Sequence, residues 1–172
     1  MIFWFIGISG AGKTTLGSHL CDYLDTKGIP NYRLDGDEVR AVFDGDLGYS
    51  SADRETNIKR IILAAYVLDR CGIVGIICNI APFERLRTLA REKITGYHEI
   101  FLRKDLHASK ENDVKGVYAD NLGRSDLVGV EIGFDEPQNP DLIIEVDRES
   151  VEESFHKVVE YVERVIRNES GL

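Results

Sequence analysis

Along the chain, short apolar runs alternate with stretches in which apolar residues recur every three or four positions. Ile2–Ile6 is a continuous apolar run stopped by Gly7, the pattern of a strand buried on both faces. From Thr14 to Lys27, Leu16, Leu20, Cys21 and Leu24 recur at helical spacing, and Gly28 suits the end of that helix. Asn31–Leu34 reads as a second strand. Ser51 to Arg70 predicts a long helix, with Ser51 as its cap and Ile58, Ile61, Ile62, Ala65 and Leu68 as its apolar stripe. Ile73–Cys78 is a further strand, Phe83–Ile94 a helix and Tyr97–Leu102 a strand. Leu142–Val146 is the last strand and Val151–Ile166 a closing amphipathic helix. Strands alternating with helices predict a three-layer α/β fold, a parallel sheet with helices on both faces. Between Asp113 and Pro140 the periodicity fails. Gly116, Gly123, Gly129 and Gly133 punctuate charged residues there, and the segment 113–140 reads as a lid.

Composition narrows the function classes. A chain of 172 residues suits one domain, and 43% hydrophobic with 30% charged residues is ordinary globular composition. A net charge of −9 argues against nucleic acid or an anionic membrane as partner, since both need a basic surface. The N-terminal apolar run is too short to span a membrane and lacks a signal peptide's basic start, so a soluble cytoplasmic protein is expected. Cys21, Cys71 and Cys78 form no metal-ligand or redox spacing and read as buried free thiols.

The chemistry concentrates after the first strand. Gly7-Ile8-Ser9-Gly10-Ala11-Gly12-Lys13-Thr14 matches the phosphate-binding loop G-x-x-x-x-G-K-[ST], in the strand–loop–helix context that motif needs. Gly7, Ser9, Gly10, Ala11, Gly12, Lys13, Thr14 and Thr15 are therefore the expected ATP-binding residues. Their backbone N–H groups cradle phosphates, Lys13 reaches the transferring phosphoryl group, and the Thr14 hydroxyl ligates Mg²⁺. No N-K-x-D follows, so guanine recognition is not indicated. The second strand ends in Leu34-Asp35-Gly36-Asp37-Glu38-Val39-Arg40, where an open parallel sheet gathers its ligands. Asp37 is the expected base or metal organiser. Asp35 reads equally as a second such carboxylate or as the cap of a short helix. The cations Arg85, Arg87, Arg91 and Lys93 read equally as a steering patch or as the solvated face of a helix.

The motifs G-I-S-G-A-G-K-T-T, L-D-G-D-E-V-R and D-L-G-Y-S-S-A-D-R-E-T-N-I-K-R, in this order, resemble the adenylyl-sulfate kinase family. Ile80-Ala81-Pro82-Phe83 with Ala90-Arg91, Lys115-Gly116-Val117-Tyr118 and Glu136-Pro137-Gln138-Asn139-Pro140 fit the same order. The resemblance implies a P-loop fold of the nucleoside-monophosphate-kinase type and a homodimer. It implies transfer of the γ-phosphoryl of MgATP to the ribose 3′-hydroxyl of adenylyl sulfate. By position it makes Lys13 and Asp37 catalytic, with Thr14 and Asp37 at the metal. It makes Asp37, Arg40, Tyr49, Arg54, Asn57, Ile80, Lys115 and Leu127 acceptor-binding, with Tyr49 stacking on the acceptor's base.

The chain departs from the family in places. Asn112 stands where a lid arginine is usual, Leu127 where a phenylalanine closes over the base, and Ala81 where a serine is common. Leu102-Arg103-Lys104-Asp105 replaces the usual Val-Asp-x-Pro. Relatives phosphorylate other nucleotide-linked acceptors, such as cytidine diphosphoramidate in capsule biosynthesis. Such an acceptor is one alternative; a non-catalytic nucleotide-binding module is the other.

Overall fold

The computed structural model describes residues 1–105 and 133–170. The expected lid over 113–140, except for its last residues, lies outside them, as do Asn112, Lys115 and Leu127. The elements run β1 (Ile2–Ile6), α1 (Lys13–Thr26), β2 (Asn31–Asp35), α2 (Gly36–Val42), α3 (Ser51–Arg70), β3 (Val74–Cys78), α4 (Glu84–Lys93), β4 (Tyr97–Arg103), β5 (Leu142–Glu145) and α5 (Val151–Ser170).

The five strands form one sheet in the order β2-β3-β1-β4-β5, and every neighbouring pair is parallel. The chain leaves central β1 for the edge strand β2 and returns through β3. It then crosses to β4 and β5 on the other side. The loop after β1 therefore opens at the middle of the carboxyl edge, where ligands of such sheets bind.

Residues of β1 alternate between two cores. Phe3 and Phe5 face α1 and α5 together with Leu16, Leu20, Leu24, Val158 and Val162. Ile2, Trp4 and Ile6 face α3 and α4 together with Ile58, Ile61, Leu86 and Ala90. This is why the first strand is an unbroken apolar run: each of its faces lies under a layer of helices. Close approach of α1 to the sheet depends on Gly17, since a Cβ there would stand 2.4 Å from the Cys78 sulfur.

Two details differ from the sequence expectation. Ser50, not Ser51, caps α3, its hydroxyl accepting from the Asp53 N–H at 3.2 Å. Of the cysteines, only Cys78 is buried. Cys21 is half-buried, and Cys71 is exposed because it sits at the C-terminal end of α3, where the apolar stripe has run out.

Candidate active site

The phosphate loop is built by backbone conformation. Gly10 and Gly12 take positive φ, 73° and 89°, which lets the chain turn inward before α1 begins at Lys13. At Gly7 (φ 146°) a side chain is excluded, because its Cβ would lie 2.6 Å from the Leu102 carbonyl. Lys13 folds back along the loop, its Nζ donating to the carbonyls of Gly7 at 2.9 Å and Ile8 at 2.8 Å. Burial pulls its ammonium from the ordinary value near 10.5 down to about 8, against the opposing pull of the Asp35 and Asp37 carboxylates. The neighbouring thiol of Cys78 is pushed up to about 12 by burial, so no thiolate competes for this cation at neutral pH.

A bound triphosphate restores the charged form, so binding of ATP above about pH 8 takes up a proton, and affinity falls as pH rises through that value. Titration calorimetry in two buffers of different ionisation heat measures the uptake, and Lys13→Met abolishes it. Zero uptake in the native protein above pH 8 would show an ammonium already charged in the free site.

Facing the loop, Asp35 ends β2 and caps α2. Its Oδ1 accepts from the Asp37 N–H at 3.1 Å, and Glu38 returns a bond to the Asp35 N–H, completing a capping box. Its Oδ2 accepts from the Thr14 hydroxyl at 2.9 Å. The cap reading of Asp35 is therefore seen directly, and its other oxygen touches the threonine expected at the metal. Asp37 is exposed in the first turn of α2, and its charge favours the charged form of Lys13.

Several expected acceptor residues converge beyond α2. The Arg40 guanidinium lies 4.7 Å from the Tyr49 ring centroid and donates to the Gly48 carbonyl. Arg54 lies 5.4 Å from the same ring and donates through Nε to the Tyr49 carbonyl at 2.9 Å. A half-exposed tyrosine with two guanidinium groups near its ring can receive an anionic, aromatic ligand. Asn57, expected among the acceptor-binding residues, is buried in α3. It is only 4% exposed, and its Nδ2 donates to the Gly36 carbonyl at 3.0 Å, so it supports the start of α2 from below. Its Oδ1 is buried without a hydrogen-bond partner among the described residues. Ile80 lies half-buried in the turn after β3.

Of the cations of α4, Arg85, Arg91 and Lys93 lie on the solvated face of the helix, and Arg87 does not. Arg85 pairs with Glu55 through Nη1 at 2.8 Å, and Arg91 with Asp141 at 3.2 Å. Arg87 is buried.

A cavity of about 450 Å³ opens beside the phosphate loop, between Gly10, Gly12 and Thr15 on one wall and Lys104, Asp147 and Glu149 on the other. Its size suits a nucleoside. The Asp105 N–H donates to Asp147 at 2.6 Å and joins the loops after β4 and β5. Lys104 places its Nζ 3.4 Å from the Gly10 carbonyl. The sequence reading missed this second wall. The signal that locates it is the strand-end rule applied to β4 and β5 as well as to β1 and β2.

A parallel sheet of this order, with a lysine-bearing phosphate loop at its centre and a carboxylate-bearing helix opposite, defines a P-loop phosphotransferase. Comparison with known proteins makes the class specific. The chain belongs to the adenylylsulphate kinase family, whose model matches residues 1–145. It is 41% identical over 162 residues to the adenylyl-sulfate kinase of Halothermothrix orenii, covering 93% of this chain and 88% of that protein. It is 35% identical over 169 residues to the adenylyl-sulfate kinase of a Synechococcus strain, covering 98% and 95%. Among solved structures, the Mycobacterium tuberculosis APS kinase in complex with AMPPNP and APS superposes with a TM-score of 0.85 at 32% identity, covering 94% of this chain and 96% of that one.

Proposed function

We propose that this chain transfers the γ-phosphoryl group of ATP to the ribose 3′-hydroxyl of adenylyl sulfate, yielding 3′-phosphoadenylyl sulfate and ADP. The observation that carries this reading is one juxtaposition. Lys13 and Thr14 of the phosphate loop face α2 with Asp37, and Arg40, Tyr49 and Arg54 gather beyond the same helix. The related Mycobacterium tuberculosis kinase, crystallised with AMPPNP and APS, supports the choice of donor and acceptor.

In-line phosphoryl transfer needs alignment and charge neutralisation more than covalent chemistry. The loop amides and Lys13 hold the donor phosphates. Arg40 and Arg54 hold the acceptor's anhydride oxygens, for which planar guanidinium groups are suited. Tyr49 offers its ring to the acceptor's base, and Asp37 orients or deprotonates the attacking hydroxyl. The oxygen donors at Thr14, with Asp35 behind it, suit a hard divalent cation. Mg²⁺, when bound, neutralises charge on the β- and γ-phosphate oxygens. Among the described residues no group of three or more His, Cys, Asp or Glu could hold a metal ion.

Further parts of the proposal are a single kinase domain over residues 1–172, a homodimer and a cytoplasmic location. Among the described residues no helix is long and apolar enough to cross a membrane.

The deciding experiment is a coupled ADP-release assay with MgATP, offering adenylyl sulfate beside a panel of cytidine and uridine diphosphate derivatives. Adenylyl sulfate is expected to be turned over best. Far faster turnover of a cytidine derivative would replace the named acceptor. Nucleotide binding without turnover of any acceptor would replace the enzyme with a binding module.

A further inference from the structure

Arg87 takes no direct part in the site described above, yet it is only 3% exposed, on the inner side of α4 beside Leu86 and Ala90. Its Nη1 donates to the Ala81 carbonyl at 2.7 Å. Its Nη2 donates to the Asp135 carbonyl at 2.5 Å and to the Glu84 carboxylate. The buried Glu99 carboxylate stands 3.9 Å from Nε, close enough for charge but too far for a hydrogen bond. The Phe134 ring, stacked on Phe101, lies 5.8 Å from the guanidinium. Around this arginine two distant segments are also joined directly. The Asp135 N–H donates to the Pro82 carbonyl at 2.9 Å, and the Glu84 N–H to the Asp135 carboxylate at 3.0 Å.

A buried guanidinium is a costly filler, and an apolar residue would occupy the same space without desolvation. What an apolar residue cannot do is hold two carbonyl oxygens from separate segments with one rigid fork. One of those carbonyls belongs to a strained residue. Ala81 has φ 44°, in the left-handed region that a residue with a Cβ adopts only when its surroundings impose it. Ile80 precedes it in the turn after β3.

We infer that Arg87 is a positioning residue for the acceptor: it locks Ala81 in its left-handed conformation, thereby sets Ile80, and ties that turn to Phe134–Asp135. The inference rests on the acceptor reading proposed above. It assigns to α4 a task in specificity rather than in steering.

The test is the kinetics of Arg87→Lys with MgATP and adenylyl sulfate. Lysine keeps the charge but replaces the fork with a single point donor. Loss of a charge-assisted bond to Ala81 raises the KM for adenylyl sulfate roughly tenfold, with the KM for ATP nearly unchanged. Adding Ala81→Gly to this variant removes the left-handed penalty and recovers part of the acceptor KM. A merely structural arginine would give equal changes in both KM values, or none, and no recovery by glycine; either result overturns the inference. Ile80→Ala is measured in parallel. If it raises the acceptor KM and Arg87→Lys does not, the positioning role fails while the acceptor placement stands. If neither variant moves it, the acceptor placement has failed and the inference with it. A native enzyme that ignores adenylyl sulfate overturns both. Should Arg87→Lys not fold, Glu84→Ala removes the carboxylate that holds one arm of the Arg87 fork from its exposed side. A smaller rise confined to the acceptor KM is then expected, and no rise overturns the inference.

Discussion

Lys13→Ala should lower turnover by roughly a hundredfold or more, while the protein folds as before. The substitution removes a cation from the transferring phosphoryl group, where such stabilisation is worth about 3 kcal/mol or more. Folding is spared for two reasons. The loop keeps its own backbone bonds, Ala11 N–H to the Ile8 carbonyl at 3.3 Å and Leu16 N–H to the Gly12 carbonyl at 3.0 Å. The lost group is also a desolvated ammonium, and burial already works against its charge. Thermal denaturation beside steady-state kinetics separates the two effects. Near-normal turnover in the folded variant would end the assignment of this loop to phosphoryl transfer.

Asp37→Asn should lower kcat on the order of a hundredfold or more, the usual range for a lost general base. The KM for ATP should change far less. The contrast is sharp because of where Asp37 sits. Its backbone N–H, not its carboxylate, completes the helix cap with Asp35, and its side chain is exposed. An amide in its place therefore leaves α2 intact and removes only charge and basicity. A kcat within about threefold of the native value would exclude both general-base and metal-organising work, since either shows in the transition state.

The elements that build the sheet were readable because buried parallel strands leave unbroken apolar runs and their flanking helices leave stripes. Helix α2 was harder to see. Gly36–Val42 is seven residues long, too short for a period to declare itself. Its only signature is the pair Asp35 and Glu38, three positions apart. The phosphate loop was legible in full because its chemistry needs glycines and a lysine at fixed spacing. The acceptor side was legible in part. Arg40, Tyr49 and Arg54 come together as expected, but Asn57 lies with Ile58 and Ile61 in the buried stripe of α3. Arg87 carried a readable hint: it falls with Leu86 and Ala90 on the buried side of α4. Charge drew the four cations of that helix into one group, and helical geometry separates them. Lys104 and Asp147 had no motif to mark them. They matter because β4 and β5 end beside the loop, a fact of topology rather than of local sequence.

The two oxygens of Asp35 answer to different halves of the molecule, one to Thr14 of the phosphate loop and one to the helix that carries Asp37 and Arg40. The acceptor half is therefore not a detachable cassette. Grafting a relative's α2 onto this scaffold to retarget the enzyme would also retune the donor end, unless the carboxylate at the junction is transplanted with its neighbours. Conversely, a defect at Asp35 would masquerade as two diseases at once, a weakened grip on the triphosphate and a misdirected hydroxyl, and no single kinetic constant would reveal their common root.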